Sequence, residues 1–183
     1  MAEIFVGLGS NLDGPADNLR QAVRRLGRRL TIVRLSSAYS TEPVGLRDQP
    51  FFLNAVLQAR ADFQPRDLLT YLAGVEDEMG RQRGVPLGPR KIDLDLLLYD
   101  DCIADEPGLS LPHPQMAERR FVLAPLAEIA PDVCHARLQR TAAELLAALP
   151  QAESVERISL PDWPPAVPTV LERTDESHAE GRG

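Results

Sequence analysis

Residues 88–99, Gly-Pro-Arg-Lys-Ile-Asp-Leu-Asp-Leu-Leu-Leu-Tyr, place two carboxylates inside a run that otherwise reads as a buried strand. Side chains alternate faces along a strand. Ile92, Leu94, Leu96 and Leu98 therefore share one face, and Lys91, Asp93, Asp95, Leu97 and Tyr99 the other. The two aspartates fall about 6–7 Å apart along the strand, an unfavourable pairing unless positive charge lies between them. Aspartate is depleted in strands, so two in one strand need a reason. One reading is a pair of exposed carboxylates on the wet face of an edge strand. The other is a pair that holds Mg²⁺ together with substrate phosphates, and Arg90 and Lys91 just upstream suit a polyphosphate.

The rest of the chain arranges itself around this strand. Ile4 to Leu8 is a short apolar run ending in Gly7, Gly9, Ser10 and Asn11, a strand entering a turn. Pro15 opens a helix whose Leu19, Ala22, Val23, Leu26 and Leu30 recur at helical spacing. Thr31 to Thr41 reads as one strand and Phe51 to Ala61 as another, joined by a loop with Pro43, Gly45 and Pro50. Pro65 opens a second helix with the stripe Leu68, Leu69, Leu72, Val75 and Met79, and a loop over 80–89 leads back to the aspartate strand.

The order β-α-β-β-α-β predicts an α+β protein with a ferredoxin-like βαββαβ antiparallel sheet and helices on one face. An extended piece at 109–114 and C-terminal helices at 116–129 and 141–149 follow. The expected domain spans residues 1–160, and a Pro-rich, polar tail spans 161–183, where composition gives no regular core element.

Composition narrows the function. A net charge of -7 argues against a general nucleic-acid binder. Cys102 and Cys134 do not form a close pair and read as thiols of a reducing compartment. No run approaches the roughly 18 apolar residues of a membrane span, and Met-Ala-Glu-Ile-Phe-Val is not a signal peptide. The expectation is a cytoplasmic protein, a monomer, with no nucleic-acid or membrane partner.

Other groupings bear on the aspartates. Arg81, Arg83 and Arg90 lie among glycines and prolines, as in any solvated loop. Yet they precede the carboxylate pair, and arginine forks match phosphate oxygens. Phe52 and Asn54 share a strand face, a core aromatic and a turn amide on one reading. On the other, they are a plate and an edge for a flat heterocycle. Pro112-His113-Pro114 followed by Arg119-Arg120-Phe121 adds a histidine better suited to donating a hydrogen bond than to binding metal. Gly7-Leu8-Gly9 is not a dinucleotide loop, because Leu12 stands where G-x-G-x-x-G needs its third glycine.

Taken together, these segments resemble the 6-hydroxymethyl-7,8-dihydropterin pyrophosphokinases of folate biosynthesis. The resemblance is carried in order by Gly9-Ser10-Asn11-Leu12, Ser37 to Pro43, Gln49 to Asn54 and Glu76 to Arg81. It continues through Gly88 to Asp95, Leu111 to Pro114 and Arg119 to Phe121. It implies transfer of pyrophosphate from ATP, the co-substrate, to the pterin hydroxymethyl group, with release of AMP. By the same resemblance Asp93 and Asp95 hold two Mg²⁺ ions, and Arg81 and Arg90 act on the phosphates. Glu76, Arg83, Leu96, Ser110, His113 and Arg119 line up with nucleotide contacts. Thr41, Pro43, Val44, Phe52, Asn54 and Phe121 line up with pterin contacts, the two phenylalanines sandwiching the ring. Leu87 stands where some members carry a tryptophan, and Ala73 where a glutamine occurs. Two competing readings are another D-x-D phosphotransferase and a non-catalytic ferredoxin-like module. The first does not predict Phe52 with Asn54; the second gives no reason to gather Arg81, Arg90, Asp93 and Asp95.

Overall fold

The computed structural model describes residues 1–43, 48–80, 88–150 and 154–166. Its first half runs β1 (Ala2–Ser10), α1 (Pro15–Leu26), β2 (Thr31–Leu35), β3 (Ala38–Thr41), β4 (Phe52–Ala61), α2 (Pro65–Glu78) and β5 (Asp93–Tyr99). There follow β6 (Ala104–Glu106), β7 (Leu109–Leu111), α3 (Arg120–Ile129), β8 (Cys134–His135), β9 (Arg140–Thr141), α4 (Ala142–Ala148) and β10 (Val155–Ile158). The main sheet is antiparallel in the order β10-β3-β4-β1-β5, with β2 also on β4. This is the expected α+β, ferredoxin-like arrangement.

Parity along the strands sorts side chains into two layers. Ile4, Val6 and Leu8 of β1, Leu57 and Ala59 of β4, and Leu94 and Leu96 of β5 pack under α1 and α2. Both helices begin with proline at the first turn, where a missing N–H costs nothing. Leu19, Ala22, Val23 and Leu26 of α1 meet Leu68, Leu72 and Val75 of α2 in this layer. Phe5, Val56, Leu97 and Leu98 point the other way, to Val122, Leu123 and Leu126 of α3 and Leu145 of α4. Helices therefore cover both faces, not one, but α3 and α4 cover only part of theirs.

Three local expectations change. Strict alternation puts Leu98 with Leu94 and Leu96, yet it lies with Leu97 in the α3 layer. The register against β1 slips between Phe5, opposite Leu98, and Val6, opposite Leu96. A bulge at Leu97 therefore reverses parity from that point and turns Tyr99 toward the first layer. The single strand over 31–41 is two strands broken at Ser36, whose backbone and hydroxyl both bond Val56 of β4. The helix over 116–129 starts as a 3₁₀ turn, Met116–Glu118, before α3.

Beyond α4 the chain returns to the sheet. β10 pairs with the outer edge of β3, Val155 opposite Thr41 and Ile158 opposite Ala38. Arg157 lies 3.4 Å from Glu128 of α3, which also accepts bonds from Ser37 and Tyr39. Residues 161–166, read from composition as the start of a tail, rest on the domain. Trp163 Nε1–H donates to the Ser36 carbonyl at 2.8 Å, and Arg20 of α1 donates to the Pro161 carbonyl. The remainder of that stretch, 167–183, lies outside the described residues.

Candidate active site

The part of the sheet that α3 leaves uncovered is the floor of an open cleft of about 840 Å³. Two neighbouring cross-strand rows make it. Asn54 of β4, Gly9 of β1 and Asp93 of β5 form one, and Val56, Gly7 and Asp95 the other. Asn54 and Asp93 are thus separated by two strand spacings, about 10 Å, and the central strand puts no side chain between them. A Cβ on Gly9 would meet Asn54 Oδ1 at 3.0 Å. Glycine inside a strand marks close approach by another group, and here it leaves room for a ligand lying across β1.

One end of the cleft suits a flat polar ring. Phe52 and Asn54 of β4 line it together, as their shared parity predicts, with Thr41 of β3 and Phe121 at the start of α3. Asn54 Nδ2 donates to Thr41 Oγ1 at 2.7 Å, which fixes the amide and turns its carbonyl toward Gly9.

The other end is charged. Arg90, Asp93, Asp95 and Arg119 line it, and Arg90 is ion-paired with Asp93. Burial first, and then the Asp93 carboxylate, push the Asp95 carboxyl above its ordinary range, against the pull of His113, Arg119 and Arg90. A half-buried, mutually repelling pair of hard oxygen donors is what a hard divalent cation relieves. Among the described residues no third His, Cys, Asp or Glu joins the pair, so a cation there completes its shell with water or substrate oxygens. Burial also holds His113 below the usual imidazole range, although Asp95 draws it upward. His113 Nδ1 accepts from the Gln115 N–H at 3.2 Å, so the neutral ring carries its proton on Nε2.

Not every expected residue lines the cleft. Leu96 buries its side chain in the α1–α2 layer. Ser110 is exposed on β7, opposite Asp105. Glu76 is buried beneath the site, where Oε1 accepts the Leu94 N–H at 2.7 Å on the outer edge of β5. It thereby grips the strand between the two aspartates. Pro43 lies beside the cleft without lining it, whereas Glu42 does. Val44, Arg81 and Arg83 lie outside the described residues.

Sequence reasoning missed Gly7 and Gly9 as floor, because their spacing was weighed only as a dinucleotide loop. It also assigned no role to Ser10 and Asn11. Ser10 Oγ donates to the Lys91 carbonyl at 2.5 Å, Asn11 N–H to the Arg90 carbonyl at 3.0 Å, and Asn18 supports Ser10 from α1. Small polar residues ending a strand beside a functional loop were the available signal.

Comparison with known proteins bears on what this cleft binds. Residues 5–131 match the family model described as 7,8-dihydro-6-hydroxymethylpterin-pyrophosphokinase (HPPK). The 2-amino-4-hydroxy-6-hydroxymethyldihydropteridine pyrophosphokinase of Pseudomonas aeruginosa is 42% identical over 159 residues, covering 85% of this chain and 96% of that protein. The Bacillus subtilis protein of the same name is 44% identical over 131 residues, 70% of this chain and 78% of its own. The HPPK-DHPS of Plasmodium falciparum, solved with pteroate, superposes with a TM-score of 0.66 at 15% identity. It covers 80% of this chain and 42% of that longer one, a likeness of fold. The family match spans the strands and loops that build both ends of the cleft, and the chain belongs to the 7,8-dihydro-6-hydroxymethylpterin-pyrophosphokinase family, enzymes of pyrophosphoryl transfer in folate biosynthesis.

Proposed function

We propose that the cleft transfers pyrophosphate from ATP to the hydroxymethyl oxygen of 6-hydroxymethyl-7,8-dihydropterin by laying the two substrates end to end across β1. The observation that carries this is the pair of cross-strand rows. They set a heterocycle-binding amide and two carboxylates on one floor with only glycine between them.

At one end, Phe52 and Phe121 flank the pterin plane and the Asn54 carbonyl accepts from its edge. Thr41 holds that amide in place, and backbone near Pro43 and Val44 completes the edge recognition. At the other end, Arg90 and Arg119 meet the phosphate oxygens, and His113 Nε2–H donates a further hydrogen bond. Arg81 and Arg83 add charge to the same phosphates, as the resemblance implies. These groups stabilise negative charge that builds on the transferred group. Glu76 acts by fixing the strand that carries Asp93 and Asp95. Those two aspartates would hold two Mg²⁺ ions, whose chemistry when bound is to polarise phosphoryl oxygens and acidify the attacking hydroxyl.

Both ends of the cleft come from one chain, which supports action as a monomer. No described helix is long and apolar enough to cross a membrane, and the cytosol is the proposed compartment. Incubation with ATP, Mg²⁺ and the pterin tests the reaction. AMP and pterin diphosphate are the expected products; ADP would replace this reading with ordinary phosphoryl transfer.

A further inference from the structure

Leu111 leaves β7 and reaches His113 through a single proline, so whatever fixes its carbonyl bears on the imidazole at the phosphate end of the cleft. That carbonyl is held from outside the main sheet. Arg137 Nη2 donates to it at 2.9 Å and Nε at 3.2 Å, and Nη2 also donates to the Ala104 carbonyl at 2.9 Å. Ala104 and Leu111 are register partners at the open end of the β6–β7 hairpin. One guanidinium therefore caps that end and takes the Leu111 carbonyl on two of its prongs. Asp105 Oδ1, 2.8 Å from Nη2, balances its charge.

Arg137 is set in place by its own turn. It lies between β8 and β9, where the His135 carbonyl accepts the Leu138 and Gln139 N–H groups. His135 is buried, and its Nδ1 accepts the Leu138 N–H as well. On the other side of Pro112, the His113 N–H donates to the carbonyl of Leu97, two residues past Asp95, at 2.9 Å. The segment from Leu111 to His113 is thus pinned at both ends, and the proline ring fixes one backbone torsion between the pins. The Leu97 bond alone would leave the segment free to pivot about it. Stripping a buried carbonyl of both donors is unfavourable, and the segment relieves that only by moving, which carries His113 with it.

We propose that Arg137 is a positioning residue for His113, holding the imidazole where its Nε2–H meets the phosphate oxygens. The proposal rests on the assignment of the phosphate end given above. Arg137 lies beyond the residues 5–131 that the family model matches, so the site draws support from a later part of the chain. A mere staple between two hairpins predicts lower stability, and the same kinetic loss whether or not His113 is present. Positioning predicts a loss that passes through the imidazole.

Steady-state kinetics on the full chain, each substrate varied in turn, separates the two. Arg137→Met keeps the apolar stem and removes every donor. It should raise the ATP KM at least about fivefold and leave the pterin KM within about twofold of wild type. In a His113→Ala background the same substitution should move the ATP KM by less than about twofold, because residues that act as a unit are not additive. Arg137→Lys keeps the charge beside Asp105 but offers no planar fork. It should fall between wild type and Arg137→Met, and it carries the same cycle where Arg137→Met fails to fold. An unchanged ATP KM in the folded variants, or an equal loss with and without His113, overturns the proposal. Wild-type ATP kinetics in His113→Ala overturns the role of His113 at the phosphate end, and the proposal with it.

Discussion

The two faces of the sheet are built from the same strands and differ by one step of parity. On β1, Ile4, Val6 and Leu8 are sealed under α1 and α2, while Gly7 and Gly9 form an open floor. On β5, Leu94 and Leu96 fill the closed layer, and Asp93 and Asp95 face the cleft. The closed face contributes stability through apolar burial. The open face carries a repelling carboxylate pair that the fold holds in place at a cost. A strand fixed rigidly by one face can therefore present unfavourable groups on the other at defined spacing.

The largest break in this contrast should come from Asp95→Ala. Removing a carboxylate that would hold the cation acting on developing charge should cost at least about a hundredfold in turnover. Because the carboxyl it removes is strained by burial and by Asp93, melting temperature should stay level or rise. Wild-type AMP release from the folded variant would refute the role of the open face. On the closed face, Leu72→Ala should do the reverse. It should lower stability by about 2–5 kcal/mol in urea unfolding and leave kcat unchanged well below the melting point. A large fall in kcat would mean the faces do not separate.

Gly9→Ala sharpens the comparison at the floor itself. The added methyl meets Asn54 Oδ1 at 3.0 Å, and loss of one hydrogen bond worth about 1 kcal/mol should raise the pterin KM about fivefold. The KM for ATP should not move; steady-state kinetics with each substrate varied distinguishes the two.

The smallest effect is in pH dependence. In the fold the Asp95 carboxyl is held above its ordinary value of 3.8 by burial and by Asp93. Its contribution to stability is full below that value and lost as pH rises through the raised one. Measured in chelator, wild type should lose stability relative to Asp95→Asn as pH climbs through this window, and added Mg²⁺ should narrow the gap. Glu144 provides the opposite sign. The Thr141 backbone N–H, then the Thr141 side chain, hold it below the ordinary range. Its contribution is present above 4.5 and lost as pH falls through the lowered value. A gap between wild type and Asp95→Asn that is flat with pH would remove the electrostatic account of the open face.

Parity explains how much of this was legible beforehand. Asp93 with Asp95, and Phe52 with Asn54, could be placed on shared faces because period-2 alternation holds where strands are regular. It failed at Leu98, where a bulge inserts one residue and no local residue type announces it. The break at Ser36 was hidden because it depends on bonds to Val56, far away in sequence. The hairpin of β8 and β9 and the edge strand β10 were missed for a related reason. Each is two to four residues long, too short for periodicity to show. Trp163 sits among prolines that argue against regular structure, and its docking is made by a single indole, not by a pattern. Glu76 could be matched by resemblance, but its grip on the Leu94 N–H is a contact between elements, and such contacts leave no mark in spacing.

The docking of β10 has a consequence for synthesis. β3 lies between β4 and β10, and Trp163 reaches Ser36 across 127 positions of sequence. A nascent chain therefore completes every strand of the ferredoxin-like core while the outer edge of β3 still offers unpaired N–H and C=O groups. Open edges are templates for pairing with other chains. The stretch from Val155 to Trp163 is what covers that edge in the folded chain, so deleting it would leave the edge open to such pairing.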